Sequence, residues 1–498
     1  MRRERRAVSG PASGPPAPPG GHEDVTDRNR RDRRLILAGQ GLRALAYGYC
    51  AVLLGVDLHR RGLSRLEVGV VLSAVVAGSA LGLLVVGRLA DQLGRRAVYV
   101  AGYAILALAA VTLALSPWWW PIAAVALTGT LSAEVMDSGP FTAIEQAMLA
   151  ALSTGRRRLR GFGVYNAVAA AGGSLGALVA GGTGAVGLAS SASRSGATAF
   201  LFLVPLALLG GACGAKLSAA VELHPQPSGA ASESASGPAP GPDTGPETPS
   251  GPRGRLLPAA SPTREVVLRL SALFGVDSFG SSFTVQAFVA FWLSTRYGAS
   301  TAAIGLLFFG LGLVQTASVL VATRIGERFG LLSTMVFTHL PSNLFLAAVA
   351  FAPNLGIAAG LLVARAALSQ MDVPTRQAYV MALVPPEDRM SAASVTGLAR
   401  YVTRPFGPVL AGLAQGVFVG LPFLLAGTVK ATYDLALWSW FRHVPLPEER
   451  SGAAAARAVP GPPFADRPAT GRRRGGRPEP SSSGRSPAPP GDSGPAGR

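Results

Sequence analysis

Twelve apolar runs, most of them near the 20 residues that a helix needs to cross a hydrocarbon layer, set the limits on this fold. They fall at residues 35–57, 66–87, 97–115, 120–140, 162–184, 197–219, 266–293, 302–323, 331–352, 355–373, 394–419 and 421–441, here called spans 1 to 12. Lipid offers no partners to a bare peptide group, so segments of this kind have to be helices. Only 14% of the 498 residues are charged, against about 25% for an ordinary soluble chain. The expected class is an all-α membrane protein with twelve transmembrane helices.

Composition changes sharply outside the spans. Residues 1–34 are basic and rich in Pro and Gly, residues 222–264 contain GPAPGPDTGPETPSGP, and residues 443–498 repeat the Pro-, Gly-, Ser- and Arg-rich bias. None of these stretches can bury enough apolar surface to offset the entropy of ordering. The expected organisation is a disordered tail (1–34), a six-helix half (35–221), a disordered linker (222–264), a second half (265–442) and a disordered tail (443–498). The first run begins too far in, and is too long, for a cleavable leader.

The net charge of +18 invites a nucleic-acid reading. However, the arginines crowd into the tails and alternate loops, whereas a nucleic-acid binder gathers them on one folded face. With the N-terminus inside, arginines concentrate in the cytoplasmic segments, and outer loops keep only Arg60, Arg61, Arg65, Arg194 and Arg296. That distribution follows the positive-inside rule and places both termini in the cytoplasm. Five tryptophans are expected in interface belts near span ends, and Trp292 at the outer end of span 7 is expected to join them.

Cys50 and Cys213 lie inside spans, as small apolar residues, and the five histidines are dispersed. No metal-ligand spacing, nucleophile–base pair or nucleotide-binding loop is present, so no enzyme, cofactor or ATP-driven pump is expected.

The two halves repeat. EQAMLAAL (145–152) matches RQAYVMAL (376–383) and GALVAG (176–181) matches GPVLAG (407–412), both offset by the same 231 residues. Between spans 2 and 3 stands GRLADQLGRR (87–96), with ERFG (327–330) as a partial copy after span 8. This loop resembles the signature between helices 2 and 3 of the major facilitator superfamily, and the chain is identified as a member on the loop and the repeat together. The resemblance implies two pseudo-symmetric six-helix bundles and alternating access around a midplane cavity. It implies gating roles for Gly87, Asp91, Gly94, Arg95 and Arg96, with Asp91 latching the cytoplasmic side shut against the start of span 11. GGSLGALVAGG (172–182) loosely resembles the family's antiporter motif, although Ala177 stands where that motif has proline. MVFTHLPSN (335–343) and MDVPTRQAY (371–379) look like a bacterial subgroup of unnamed substrate.

A charge in the bilayer centre costs about 2.5–3.5 kcal/mol on insertion scales, so each one needs a reason. Five are expected deep in the membrane: Arg43 (span 1), Glu134 and Asp137 (span 4), Asp277 (span 7) and Arg365 (span 10). In the resembling family, spans 1, 4, 7 and 10 line the cavity. Glu134 and Asp137, three apart, would share one helical face. The expected pairs are Arg43 with Glu134/Asp137, and Asp277 with Arg365, with a carboxylate exchanging a proton as the cavity changes exposure. Asp277 is the first candidate for that proton and Asp137 the second; permanent ion pairs that only lock helices are the competing reading. Asp372 with Arg376 is expected as a gate pair. Arg400 and Arg404 are expected to anchor or gate by reaching the headgroups, Lys430 to pair with Asp434, and His339 to be a packing residue.

The expected function is proton-coupled export of a small organic solute or drug by a monomer in a bacterial inner membrane. Its partners would be a small-molecule substrate, protons and lipid, without nucleic acid. A metabolite importer or facilitator, or a transport-inactive receptor or scaffold, are the alternatives.

Overall fold

A computed structural model of the chain describes residues 21–134, 139–152, 155–185, 198–222, 261–385 and 388–443. The expected disordered segments at 223–260 and 444–498 fall outside these residues, as do residues 1–20.

The first half contains α1 (Gly21–Arg60), α2 (Arg65–Leu93), α3 (Arg95–Leu115), α4 (Trp119–Ala126), α5 (Pro140–Ala151), α6 (Gly155–Ala185) and α7 (Leu203–Ala215). The second contains α8 (Ser261–Ser282), α9 (Gln286–Tyr297), α10 (Thr301–Phe329), α11 (Leu331–Val349), α12 (Leu355–Ser369), α13 (Asp372–Leu383), α14 (Arg389–Thr403), α15 (Phe406–Val417) and α16 (Leu421–Phe441). The result is an all-α membrane fold of twelve spans in two six-span bundles. Seven of the described helical segments are by themselves long and apolar enough to cross a membrane. Ser64 and Glu67 form a reciprocal capping box at the start of α2, which fixes where that span enters.

Four expected spans are not single helices: span 7 divides into α8 and α9 and span 11 into α14 and α15, while span 4 holds α4 and span 10 holds α12, each continued beyond its expected end by a separate helix, α5 and α13. Two of the breaks have clear local causes. Past α4, Gly129 takes φ +74 and packs against the Gly78 backbone, a conformation that ends a right-handed helix. At span 11, Pro405 has no N–H to continue the ladder, and α15 starts just after it. Helix α1 also begins at Gly21, well before the expected start at 35.

At spans 7 and 11 the break leaves one piece, α9 or α15, packed against the other half. The halves meet where α1 packs on α9, α2 on α15 and α6 on α10. These contacts cluster toward the end of the molecule that carries residues 61–64, here the upper end. A Cβ on Gly55 would meet the backbone of Ala287 and Phe291, and one on Gly412 would meet that of Arg65, so glycine is required at both crossings. Gly181 and Gly305 bring α6 and α10 together in the same way. Polar contacts complete the seal: Arg60 donates to Thr301 (3.0 Å), the Ala287 N–H to the Ala133 carbonyl (3.0 Å), and the Val409 N–H to the Ser73 hydroxyl (3.1 Å). At the lower end, that of residues 87–96, Gly87 and Gly397 face open space.

Trp292 departs from the expected belt. It is 1% exposed, donates its Nε1–H to the Val419 carbonyl (2.7 Å) and packs on Phe423, so it is part of the core. Trp118 and Trp120 are 64% and 61% exposed, consistent with an interface position.

Candidate functional site: a charged cavity between the halves

Below the upper seal lies a cavity of about 290 Å³. Its charged lining is Glu134, Asp277, Arg365, Asp372, Arg376, Arg400, Arg404 and Lys430, with His339 beside them. Ser278, Ser281, Thr284, Gln286, Gln315, Ser369 and Gln370 supply neutral polar groups. Almost every lining side chain comes from the second half, and Glu134 is the contribution of the first.

Asp277, on α8, is the hub. Its Oδ2 accepts from Arg376 of α13 at 3.1 Å, and its Oδ1 accepts from Lys430 of α16. Lys430 also donates to the Ser281 hydroxyl (2.7 Å), one turn further along α8. Arg376 reaches Asp372 as well, at 3.2 Å, so the expected i,i+4 pair is present but forms part of a larger cluster. Behind Asp277 stands His339 of α11, its Nε2 3.9 Å from the Asp277 carboxylate. The other ring nitrogen, Nδ1, is 2.8 Å from Asp434 of α16, whose second oxygen accepts from Asn343 (2.8 Å). A chain of titratable groups therefore runs from the cavity wall into the second half: Asp277, His339, Asp434.

Several expected pairings are corrected by this geometry. Asp277 pairs with Arg376 and Lys430 rather than with Arg365. Lys430 does not pair with Asp434, because each finds a closer partner on a packed neighbour: Lys430 on Asp277 of α8 and Asp434 on His339 of α11. His339 is satisfied, as a packing histidine would be, yet it also lines the cavity. Arg400 and Arg404 point into the cavity instead of toward headgroups. Glu134 lies outside the helices, and Asp137 falls outside the described residues. Glu134 instead meets Arg404 across the interface between halves at 2.6 Å, with side chains 27% and 19% exposed. That places an ion pair between a residue of the first half and one of the second.

Arg43 also has a different partner and a different place. It is 2% exposed and does not line the cavity. Its guanidinium donates to Glu145 of α5 (2.6 Å) and to Gln40, and Glu145 also accepts from Tyr99 (2.7 Å) and Tyr165 (2.6 Å). A carboxylate with three donors, one of them a guanidinium, is half of a charge-compensated buried pair, which rigidifies a bundle. Glu145 and Arg376 occupy matching places in the repeated EQAMLAAL and RQAYVMAL segments. The first half thus pairs a basic span 1 with an acidic α5, and the second an acidic α8 with a basic α13. The inverted sign pattern was legible in the sequence, but its bearers are Glu145 and Arg376.

The loop motif is engaged on one side only. Glu222, just past α7, accepts from the Arg95 N–H (2.7 Å) and the Arg96 N–H (3.2 Å). It thereby caps the otherwise unpaired amides at the start of α3, where a negative charge also suits the helix dipole. Arg95 further donates to the Ala147 and Val221 carbonyls, and Arg96 to that of Ala215. Gly94, between α2 and α3, takes φ +89, which only glycine adopts freely. Asp91 is exposed and makes no hydrogen bond or ion pair with a described residue. Asp91 thus makes no latch onto span 11 among the described residues.

Comparison with known proteins agrees with this architecture. The profile of the Major Facilitator Superfamily matches residues 35–275 and again 270–478. The chain belongs to the major facilitator superfamily of membrane transporters. It is 27% identical over 421 residues, 82% of this chain and 94% of the relative, to the uncharacterized membrane protein YJR124C of Saccharomyces cerevisiae. Among solved structures, a mutant of the nucleoside transporter NupG superposes with a TM-score of 0.60 at 13% identity, over 82% of this chain and all (100%) of that one. A D-xylose-proton symporter superposes with a TM-score of 0.59 at 13% identity, over 82% of this chain and 97% of the other. At such identity the likeness establishes the fold and leaves the cargo open.

Proposed function

We propose that this transporter moves a small organic solute outward across a bacterial inner membrane, in exchange for protons, by rocking its halves about the charged cavity. The observation that carries the reading is the Asp277 cluster. It is a carboxylate held between two cations, wired through His339 to a second buried carboxylate, at the wall of a cavity sealed at one end. Breaking and remaking ion pairs of this kind as water enters and leaves is a physical route to loading and releasing a proton. Glu134 with Arg404 serves as the gate at the interface, with Asp372, Arg376 and Arg400 beside it. Gly87, Asp91, Gly94, Arg95 and Arg96 form the latch of the opposite, outward-open state. Arg365 contacts the cargo. With both termini cytoplasmic, the open lower end faces the cytoplasm, where an exporter loads. The linker joins two halves that work together as a monomer.

The test is proton movement in proteoliposomes carrying an internal pH dye. A solute that stabilises the purified protein, added to one side, should drive a pH change in the wild type. Asp277→Asn should bind that solute but move no protons. An undiminished pH change in the Asp277→Asn protein would remove Asp277 from coupling. In cells, collapse of the proton gradient should raise accumulation of the cargo if the protein exports, and lower it if it imports.

A further inference from the structure

The charges of the cavity do not balance. Among the described residues, five cations (Arg365, Arg376, Arg400, Arg404, Lys430) face three carboxylates (Glu134, Asp277, Asp372). The carboxylates are already committed: Glu134 to Arg404, Asp277 to Lys430 and Arg376, Asp372 to Arg376. Arg365 and Arg400 make no ion pair or hydrogen bond with a described residue, and the Nε of each is buried with no partner. A cation kept unpaired at membrane depth is costly, and such residues mark a path or a binding site. Guanidinium is also the side chain whose planar fork fits carboxylate and phosphate oxygens.

We propose that the cargo is a small polar anion, a carboxylate or phosphate ester, that enters the cavity and takes Arg365 and Arg400 as its counter-ions. The assignment rests on the transporter reading above and adds the chemical class of its substrate. The neutral lining agrees with it. Hydroxyls and amides such as Ser278, Gln315 and Gln370 suit a hydroxylated body, and Phe308 carries the one phenyl ring among the described lining residues. A lipophilic cationic drug, the other class that exporters of this fold would meet, finds surplus positive charge and little aromatic surface here. The volume of about 290 Å³ holds a compact metabolite and little more. The two surplus arginines lie on α12 and α14, so an anion bridging them would also report on their separation.

The test uses the full-length protein in detergent and in proteoliposomes, at fixed ionic strength. Four probes are compared for thermal stabilisation and uptake: citrate, glycerol 3-phosphate, uridine and tetraphenylphosphonium. Stabilisation by citrate or by glycerol 3-phosphate is expected, and which of them acts separates carboxylate from phosphate recognition. Arg365→Gln and Arg400→Gln should each weaken that binding at least tenfold. The ligand-free variants should melt no lower than the wild type, because an uncompensated charge has been removed. Arg365→Lys should retain weaker anion binding, which separates lost contact from lost folding. Unchanged anion binding in both glutamine variants overturns the assignment, as does the absence of stabilisation by either anion. Movement of uridine or tetraphenylphosphonium in that case leaves the transporter reading standing, whereas movement of no probe removes both.

Discussion

Replacing Glu145 with glutamine tests whether the buried charges of the first half are structural. The Arg43 and Glu145 side chains are 2% and 0% exposed, so neither can reach water when its partner is lost. The glutamine would keep the shape and one acceptor but leave the Arg43 charge uncompensated. Breaking a buried pair from one side costs about 3–5 kcal/mol, mostly the cost of stranding the remaining charge. At about 1.4 kcal/mol per tenfold, the folded-to-unfolded ratio should fall roughly 10²- to 10⁴-fold. Arg43→Gln combined with Glu145→Gln removes both charges, keeps hydrogen-bonding groups for Tyr99 and Tyr165, and should be more stable than Glu145→Gln alone. The assay is denaturant unfolding in detergent, followed by helical circular dichroism, with transport measured on the folded fraction. Because the pair lies away from the cavity, the folded double variant should still turn over. A Glu145→Gln protein as stable as the wild type would refute the argument, and so would a double variant no better than the single one.

Two further perturbations address the seal. Glu134→Gln should remove about 1 kcal/mol of closure, the scale of a partly exposed ion pair, and shift the equilibrium several-fold toward the outward-open state. Ala290→Cys, at the α1–α9 crossing, in a background lacking Cys50 and Cys213, should then label faster with a membrane-impermeant maleimide; an unchanged rate would mean that the Glu134–Arg404 pair does not hold the gate. Gly305→Val should leave the fold intact but stop turnover by wedging the upper seal, since an added Cβ would lie 2.7 Å from the Gly181 Cα. Gly176→Val, within the first half, should instead cost about 1–3 kcal/mol of stability through overpacking against the Leu45 and Tyr49 backbone. Equal stability losses for the two variants would contradict this division between gate and frame.

The spans were legible because their apolar length is a one-dimensional property, and the repeat and loop motif were enough to assemble them into two bundles. The breaks were less legible. Pro405 is visible in the sequence as a helix breaker, but the break near Gly129 depends on its contact with Gly78 on another span. Depth along a span identified Asp277, Glu134 and Arg365 as groups of the cavity, yet depth carries no direction around the helix axis. Arg43 is as deep as they are and points elsewhere. Lys430 has Asp434 for a neighbour in sequence, while its partner is on α8. Glu145 stands in a repeated segment beyond span 4, and only the continuation of that span as α5 brings it to Arg43. Glu222 lies at the edge of a linker, where nothing in the local pattern suggests a cap for α3.

One bundle supplies almost the whole wall of the cavity, and the other supplies a compensated core and one gate carboxylate. Such an asymmetric division separates two kinds of evolutionary pressure. Substitutions that retune what is carried can accumulate on α8 to α16 while the tyrosine-ringed anchor around Arg43 holds still, so preference for cargo can drift without loosening the frame against which it moves.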